Sequence, residues 1–287
     1  MKQKPPYPDS CPKGFRRPVY RLAFCAWAMG MVVLVAVLTR CSVKEKTPRT
    51  PAKIAYGMEV PRVDNPEFLV VCEPGRYTLL YDTLYRQAAW AAYTLTRQDV
   101  ENTPAERGDR FVICPIVREK GWPYATTKDY TNSGYDRGHL VPSADRLQTQ
   151  AGNDATFRMS NIAPQTPRLN RVVWNALEGE VRELAERLDT LWIVTGGHLQ
   201  AGLPRIGVNG VGVPERFFKV LLAKKDVGYQ AIGFVIPNTE EIAGTFRDYA
   251  VSVEAVEELA GIDFFPNLPD AIEERVEATY DPTEWEF

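Results

Sequence analysis

Histidine and cysteine are scarce in this sequence of 287 residues. Its two histidines, His139 and His198, lie 59 positions apart, and the sequence contains no HxxxH or CxxC pair. Structural and hydrolytic zinc sites are commonly built from such pairs, so a zinc hydrolase is disfavoured. Of the five cysteines, only Cys72 and Cys114 follow residue 41. They could form a disulfide in an oxidising compartment, with two buried free thiols as the alternative.

Basic charge is also in deficit once the first 41 residues are set aside. The remaining sequence has 27 Lys+Arg against 36 Asp+Glu, a net charge of −9. Proteins that coat nucleic acid through bulk charge carry the opposite sign. A polyanion would therefore have to be held by a local basic patch or by a metal ion.

The N-terminus carries a run of residues without charge, residues 22–38, preceded by six basic residues and one acidic residue. This pattern predicts an export signal or an uncleaved membrane anchor, with a buried core helix as the weaker alternative. We therefore expect contact with a membrane through residues 22–38 and a location in the bacterial cell envelope, outside the cytoplasm. Cys41, in "VLTRC", faintly resembles the lipidated cysteine of a lipoprotein signal, although Arg40 departs from that pattern.

Three segments follow from composition: a leader (1–41), a Pro- and Lys-rich linker (42–66) and a folded domain (67–287). No internal repeat is visible, and the mixture of apolar runs and amphipathic stretches predicts an α+β domain. The predicted strands are 68–72, 77–82, 88–96, 110–117, 190–197, 215–223 and 229–237; the predicted helices are 169–188, 252–260 and 270–279.

The stretch "SGYDRGHLVPSADR" (133–146) places an acid, a base and an imidazole within four residues. The imidazole of His139 can accept a proton near neutral pH, and Arg137 offers donors that match phosphate oxygens. Asp136 can accept a hydrogen bond and fix a geometry, while Gly138 permits close backbone approach. Alone, these residues fit an ordinary polar turn as well as a catalytic site.

A second block, "MSNIAPQTPRLNRVVWNALEGEVREL", supplies Asn161, Asn170 and Glu178. On the predicted helix, Asn170 and Glu178 are eight residues apart, which places them about 12 Å apart on roughly one face. An amide oxygen near the helix start can coordinate a hard cation such as Mg²⁺, which retains most of its waters. A carboxylate two turns later can hold those waters.

These two blocks resemble the sugar-non-specific DNA/RNA endonucleases of the DRGH type, which include mitochondrial endonuclease G and secreted bacterial nucleases. "YDRGHLVPSAD" matches the family signature, and "MSNIAPQ…LNRVVWNALE" matches its second block with the spacing intact. The resemblance extends over residues 70–275. It implies a ββα-metal (His-Me finger) fold with a central, mostly antiparallel sheet.

The resemblance also implies residue roles. His139 is expected to be the general base, Asn170 the direct protein ligand of Mg²⁺ (or Mn²⁺ in its place), and Glu178 the residue that holds the metal's waters. Arg137 is expected to stabilise charge on the phosphate. Supporting or substrate-binding roles fall to Asp136, Asn161 and Arg110.

The expected activity is hydrolysis of DNA and RNA through phosphate contacts, with little dependence on base sequence. Dimers occur in the family, so a homodimer is a further expectation. The alternative is a membrane-anchored module that binds nucleic acid without turnover. The net charge of −9 argues against tight binding without a metal ion.

Overall fold

The structure, a computed structural model, describes residues 57–226, 228–285 and 287. The predicted leader, with its charge-free run 22–38 and Cys41, lies outside the described residues. Within the described part of the chain, no helix is both long enough and apolar enough to cross a membrane. Residues 57–65, assigned by sequence to the linker, pack on the domain: the side chain of Val60 is buried, and the Arg62 amide donates to the carbonyl of Asp263.

A central sheet and two short ribbons make up the β-structure. The strands are β1 (Leu69–Cys72), β2 (Tyr77–Asp82), β3 (Gln87–Thr96), β4 (Asp136–His139), β5 (Ile162–Gln165), β6 (Thr190–Gly197), β7 (Arg205–Ile206), β8 (Val211–Gly212), β9 (Arg216–Lys225), β10 (Gly228–Pro237) and β11 (Ala250–Val251). The central sheet has the order β1-β2-β3-β6-β9-β10-β11, and every neighbouring pair is antiparallel. The predicted central antiparallel sheet is therefore confirmed.

The helices are α1 (Arg97–Glu101), α2 (Pro115–Glu119), α3 (Gln150–Thr156), α4 (Asn175–Leu188), α5 (Val253–Ala260) and α6 (Asp270–Ala278). A π-helical turn, Leu169–Trp174, leads directly into α4, so the predicted helix 169–188 is confirmed but starts with a wider turn. The predicted apolar stripe of this helix is buried as expected: Leu169, Val173, Leu177, Val181 and Leu184.

Alternating side chains of the central strands feed two hydrophobic cores. In β9, Phe217 and Leu221 pack with α4, whereas Phe218 and Val220 pack with α5 and α6 on the opposite face. This is the period of two expected when both faces of a sheet are covered. Lys219 shares the α4 face with Phe217 and Leu221, so the alternation places a lysine in the core beneath α4.

The DRGH segment is a strand, β4, and not the turn that its composition suggested. It pairs with β5, which sets Asp136 opposite Gln165 and His139 opposite Ile162. With the π-helical turn and α4 that follow β5, this antiparallel pair of strands forms a ββα unit. Gly138 is required by close approach, since a Cβ there would lie 2.1 Å from Oε1 of the buried Gln165.

The predicted strand 110–117 is wrong. Val112 makes only a single bridge to Arg158, and the chain then turns into α2 at Pro115. Proline lacks the amide hydrogen that a ladder needs and is well suited to the first turn of a helix. Nearby, Cys72 and Cys114 are both buried free thiols.

Candidate active site

A cleft of about 820 Å³ opens over the ββα unit. It brings together five of the seven predicted site residues: Asp136, Arg137, His139, Asn170 and Glu178. The other two, Asn161 and Arg110, do not line it. Strand β4 therefore places Asp136, Arg137 and His139 in the cleft. The helical segment places the amide of Asn170 and the carboxyl group of Glu178 in the same cleft.

His139 ends β4 with its ring held between aromatic side chains. The ring meets Phe157 edge-on at 4.8 Å between centroids and lies 5.8 Å from Phe111. The ring as a whole is only partly buried, but its Nε2 atom is buried and has no hydrogen-bond partner among the described residues. The two aromatic rings therefore limit the orientations open to the imidazole.

The pKa of His139 is lowered from its usual value to about 3. Burial is the largest cause, and the positive charges of Arg107 and Arg137 add to it. At neutral pH the imidazole is therefore uncharged. This is the protonation state that a general base needs before it takes a proton.

Asn161 is buried beneath this strand and not in the cleft. Its Oδ1 accepts from the amide of Val141 at 2.9 Å, and its Nδ2 donates to the carbonyls of Val141 at 3.0 Å and Thr156 at 2.9 Å. These bonds fix the chain two residues beyond His139. Asn161 therefore supports the position of His139 through the backbone.

Asp136 connects the strand to the helical side of the cleft. Its Oδ2 accepts from Asn170 Nδ2 at 3.0 Å and from Arg171 Nε at 2.7 Å, and its Oδ1 accepts from Arg171 Nη2 at 2.6 Å. The hydrogen bonds from Arg171 lower the pKa of Asp136, so the carboxylate stays ionised. Because the amide nitrogen of Asn170 is engaged, its carbonyl oxygen is the atom left to coordinate a cation.

Glu178 lies on α4 above the buried Lys219. The Lys219 Nζ atom is 4.9 Å from the centroid of the Trp174 ring and has no hydrogen-bond partner within the described residues. Burial raises the pKa of Glu178, and the charge of Lys219 opposes that rise. Burial lowers the pKa of Lys219, and the charge of Glu178 opposes that fall. The carboxyl group of Glu178 thus lines the cleft next to a buried lysine.

Arg182, one helical turn after Glu178, also lines the cleft. Its Nη1 donates to Oδ1 of Asp145 at 3.1 Å, and Oδ2 of that buried carboxylate accepts from the Tyr93 hydroxyl at 2.9 Å. The i+4 spacing from Glu178 could have identified Arg182 from sequence. Asp145 is the last residue of the signature stretch "YDRGHLVPSAD", although no role is predicted for it from the sequence.

Arg107, not Arg110, is the upstream arginine of the cleft. Arg107 donates to the Ser143 hydroxyl and lies 5.4 Å from the Phe157 ring centroid, whereas Arg110 is exposed and outside the cleft. The structure thus places Arg107, and not the predicted Arg110, in the cleft. The sequence did not show this, because residues 105–113 form no regular element whose period would indicate which arginine turns inward. Arg137 lines the same cleft, and its guanidinium carbon lies 4.2 Å from the Phe111 ring centroid.

His198 lies elsewhere, in a separate cavity of about 250 Å³ that also exposes Arg62 and Asp82. It does not share the cleft of His139, in agreement with its position outside both sequence blocks.

The donors in the cleft suit a cation that keeps most of its water. Among the residues that the structure describes, no group of three or more His, Cys, Asp or Glu is arranged to hold a metal ion. The cleft instead offers one oriented amide oxygen, on Asn170, and the carboxyl group of Glu178, since the other carboxylate of the cleft, Asp136, is paired with Arg171. Mg²⁺ typically binds through one or two protein oxygens and retains several waters, so this set fits it.

The central antiparallel sheet, the ββα unit and the arginine-lined cleft are the features expected of the family that the two sequence blocks resemble. The family model described as DNA/RNA non-specific endonuclease matches residues 66–271. The chain belongs to that family and is a nuclease that hydrolyses phosphodiester bonds. The resemblance seen in the two sequence blocks is confirmed.

Named relatives agree with this assignment. The chain is 33% identical to a nuclease of Nostoc sp. over 273 residues, which covers 88% of this chain and 97% of the relative. It is 33% identical to mitochondrial endonuclease G of Homo sapiens over 204 residues, 67% of this chain and 68% of the relative. In the crystal structure of an EndoG/EndoGI complex, one chain superposes with a TM-score of 0.64 at 28% identity, covering 75% of this chain and 91% of that one.

Proposed function

We propose that the chain is a Mg²⁺-dependent endonuclease that cleaves both DNA and RNA, with His139 as the general base. The observation that carries this proposal is the shared cleft, which is lined both by the neutral imidazole of His139 on β4 and by the oriented amide of Asn170 on the helical turn. Family membership favours this enzyme over a binding module without turnover.

The protein side chains divide the chemistry between them. Arg107 and Arg137 line the cleft next to His139 and can hold the non-bridging oxygens of a phosphodiester. His139 then takes a proton from a water whose oxygen bonds to phosphorus as the bond between phosphorus and the 3′ oxygen breaks, a contribution typically worth about 10²–10⁴-fold. The 3′ oxygen leaves and takes a proton from solvent. The products are a 5′-phosphate and a 3′-hydroxyl end.

Asn170 would hold the cation through its carbonyl oxygen, and Glu178 would hold water molecules of the cation. When bound, Mg²⁺ supplies positive charge where negative charge develops on the phosphate and the leaving oxygen. Because the groups that would hold substrate face phosphate oxygens, base sequence should have little influence on cleavage.

The test is to incubate the full-length protein with plasmid DNA and with RNA, in Mg²⁺, Mn²⁺ or EDTA. We expect cleavage of both substrates with either metal and none in EDTA. His139→Ala should lose activity by about 10² or more while keeping its fold, as checked by circular dichroism. Full activity in EDTA would overturn the metal requirement, and full activity of His139→Ala would overturn the assignment of the base.

We further propose that residues 22–38 direct the nuclease domain to the outside of the cytoplasmic membrane. The basic residues before this run and its lack of charge support the proposal. Fractionation of cells, followed by mass spectrometry of the protein's N-terminus, separates an intact anchor, a cleaved signal and a lipidated Cys41. Recovery of the whole chain from the cytosol would contradict it. The homodimer stays a prediction that light scattering of the purified protein can test.

A further inference from the structure

Arg171 makes a two-pronged contact with Asp136 at the edge of the cleft. Its Nε and Nη2 atoms donate to the two oxygens of that carboxylate at 2.7 and 2.6 Å, although 66% of the arginine side chain is exposed. Exposed ion pairs contribute little to stability. A bidentate guanidinium–carboxylate pair nevertheless fixes the plane of the carboxylate, which is a geometric and not only an energetic effect.

The carboxylate that Arg171 clamps is the one that orients Asn170. Oδ2 of Asp136 accepts from both Arg171 Nε and Asn170 Nδ2. The position of that oxygen therefore decides which way the amide of Asn170 faces. Without the clamp, the carboxylate could rotate about its own side chain, and the amide would lose its fixed partner.

The backbone brings these two neighbours to a single partner. Consecutive residues of an α-helix point about 100° apart, so adjacent side chains do not normally converge. Asn170 and Arg171 belong to the π-helical turn Leu169–Trp174, and both reach Asp136. Such turns are often found at functional sites.

We propose that Arg171 is a positioning residue: by clamping Asp136, it holds the carbonyl oxygen of Asn170 in the orientation that binds the cation. This inference rests on the proposed function, in which Asn170 is the protein ligand of the metal. It assigns to Arg171 a role that differs from that of Arg107 and Arg137, which would contact the phosphate.

The experiment measures Mn²⁺ binding to the full-length protein without nucleic acid, by electron paramagnetic resonance and by calorimetry. Arg171→Gln should weaken Mn²⁺ binding by about 10-fold or more, the usual effect of removing a partner that orients a metal ligand. Arg171→Lys keeps the charge but not the fork and should fall between Arg171→Gln and wild type. The matched control is Arg168→Gln, which removes an arginine three residues earlier and outside the cleft and should bind Mn²⁺ like wild type.

A second measurement separates positioning from phosphate contact. Binding of a short DNA duplex in EDTA should be unchanged in Arg171→Gln, with the same salt dependence as wild type. Unchanged Mn²⁺ affinity with a salt slope reduced by about one would make Arg171 a phosphate-binding residue and overturn the proposal. A lowered melting temperature with unchanged Mn²⁺ affinity would overturn it as well, since the residue would then be only structural.

Wild-type protein distinguishes this failure from failure of the proposed function. If wild type neither binds Mn²⁺ nor cleaves DNA in its presence, the metal-dependent nuclease itself is refuted. If wild type binds Mn²⁺ and both Arg171 variants bind it equally well, only the role of Arg171 is refuted.

Discussion

The surroundings of His139, the proposed general base, decide the charge of its imidazole. Two aromatic rings hold the imidazole, and burial with two nearby arginines keeps it uncharged well below neutral pH. A phosphate bound by Arg107 and Arg137 would offset their positive charge. The imidazole should therefore become a stronger base once substrate is in place.

This environment predicts a pH-dependent loss of stability. The unfolded chain binds a proton at His139 near pH 6.5, but the folded chain does so only near pH 3. The unfolded state therefore binds more protons between these values, and stability falls as pH drops through that window, by at most about 1.4 kcal/mol per pH unit. Urea unfolding of wild type and His139→Gln between pH 4 and 7 should show a steeper pH dependence for wild type; parallel curves would contradict the prediction.

Arg107 and Arg110 form a natural matched pair, since only Arg107 lines the cleft. Arg107→Gln should lower kcat/KM by about 10-fold or more, because hydrogen bonds to charged groups contribute about 1.5–3 kcal/mol. Arg110→Gln should change it by less than about 2-fold, as expected for a surface substitution. Steady-state cleavage of a fluorogenic oligonucleotide measures both, and equal losses in the two variants would return Arg110 to the site.

At the scale of elements, β9 places a lysine, Lys219, among the apolar side chains that its α4-facing side buries. Lys219 lies in the core beneath α4, with Trp174 and Glu178 above it. A lone lysine within "RFFKVLLA" is a signal visible in the sequence, but its meaning depends on which helix covers that face of the sheet. The strand thus contributes to the electrostatics of the cleft without lining it.

Removal of this charge should change the pH profile. Lys219→Met takes away the charge that opposes the raised pKa of Glu178, so that pKa should rise further. The acid limb of kcat/KM against pH should move to higher pH, because in the proposed mechanism Glu178 would hold the cation's waters only when ionised. Lys224→Met, on the exposed end of the same strand, is the control. An acid limb that stays in place in Lys219→Met would separate Lys219 from catalysis.

Elements with a regular period were predictable from sequence, and irregular segments were not. The apolar stripe from Leu169 to Leu184 identified the long helix and, with it, Asn170 and Glu178 on one face. The prediction of a strand at 110–117 was wrong because an apolar run resembles a strand whether or not a neighbouring strand exists to pair with it. Arg107 was missed for a related reason, since only tertiary contacts with Ser143 and Phe157 bring it to the cleft.

At the scale of the whole molecule, a negative net charge coexists with a basic cleft. Of the four cleft arginines, Arg171 and Arg182 are paired with carboxylates. Arg107 and Arg137 have no such ion pair in the described part of the chain and lie over aromatic rings instead. Attraction of nucleic acid should thus be local and should involve few phosphates.

The salt dependence of DNA binding tests this distribution of charge. If Arg107 and Arg137, the two cleft arginines without an ion pair, each neutralise one phosphate, the slope of log Kd against log salt should be near 1.8, since each neutralised phosphate of a duplex contributes about 0.9. Fluorescence anisotropy in EDTA, between 50 and 300 mM salt, gives the slope. A value above about 4 would show that a much wider surface contacts the DNA.

The π-helical turn Leu169–Trp174 makes chain length, and not only residue identity, a condition for the site. Loss of one residue there would leave an ordinary helical turn, in which consecutive side chains point about 100° apart and Asn170 and Arg171 would no longer converge on one partner. Val172, which is largely exposed, could be replaced with little consequence, yet its deletion would carry Asn170 and Arg171 away from Asp136. The number of residues in this turn is therefore a condition for the convergence of Asn170 and Arg171 on Asp136.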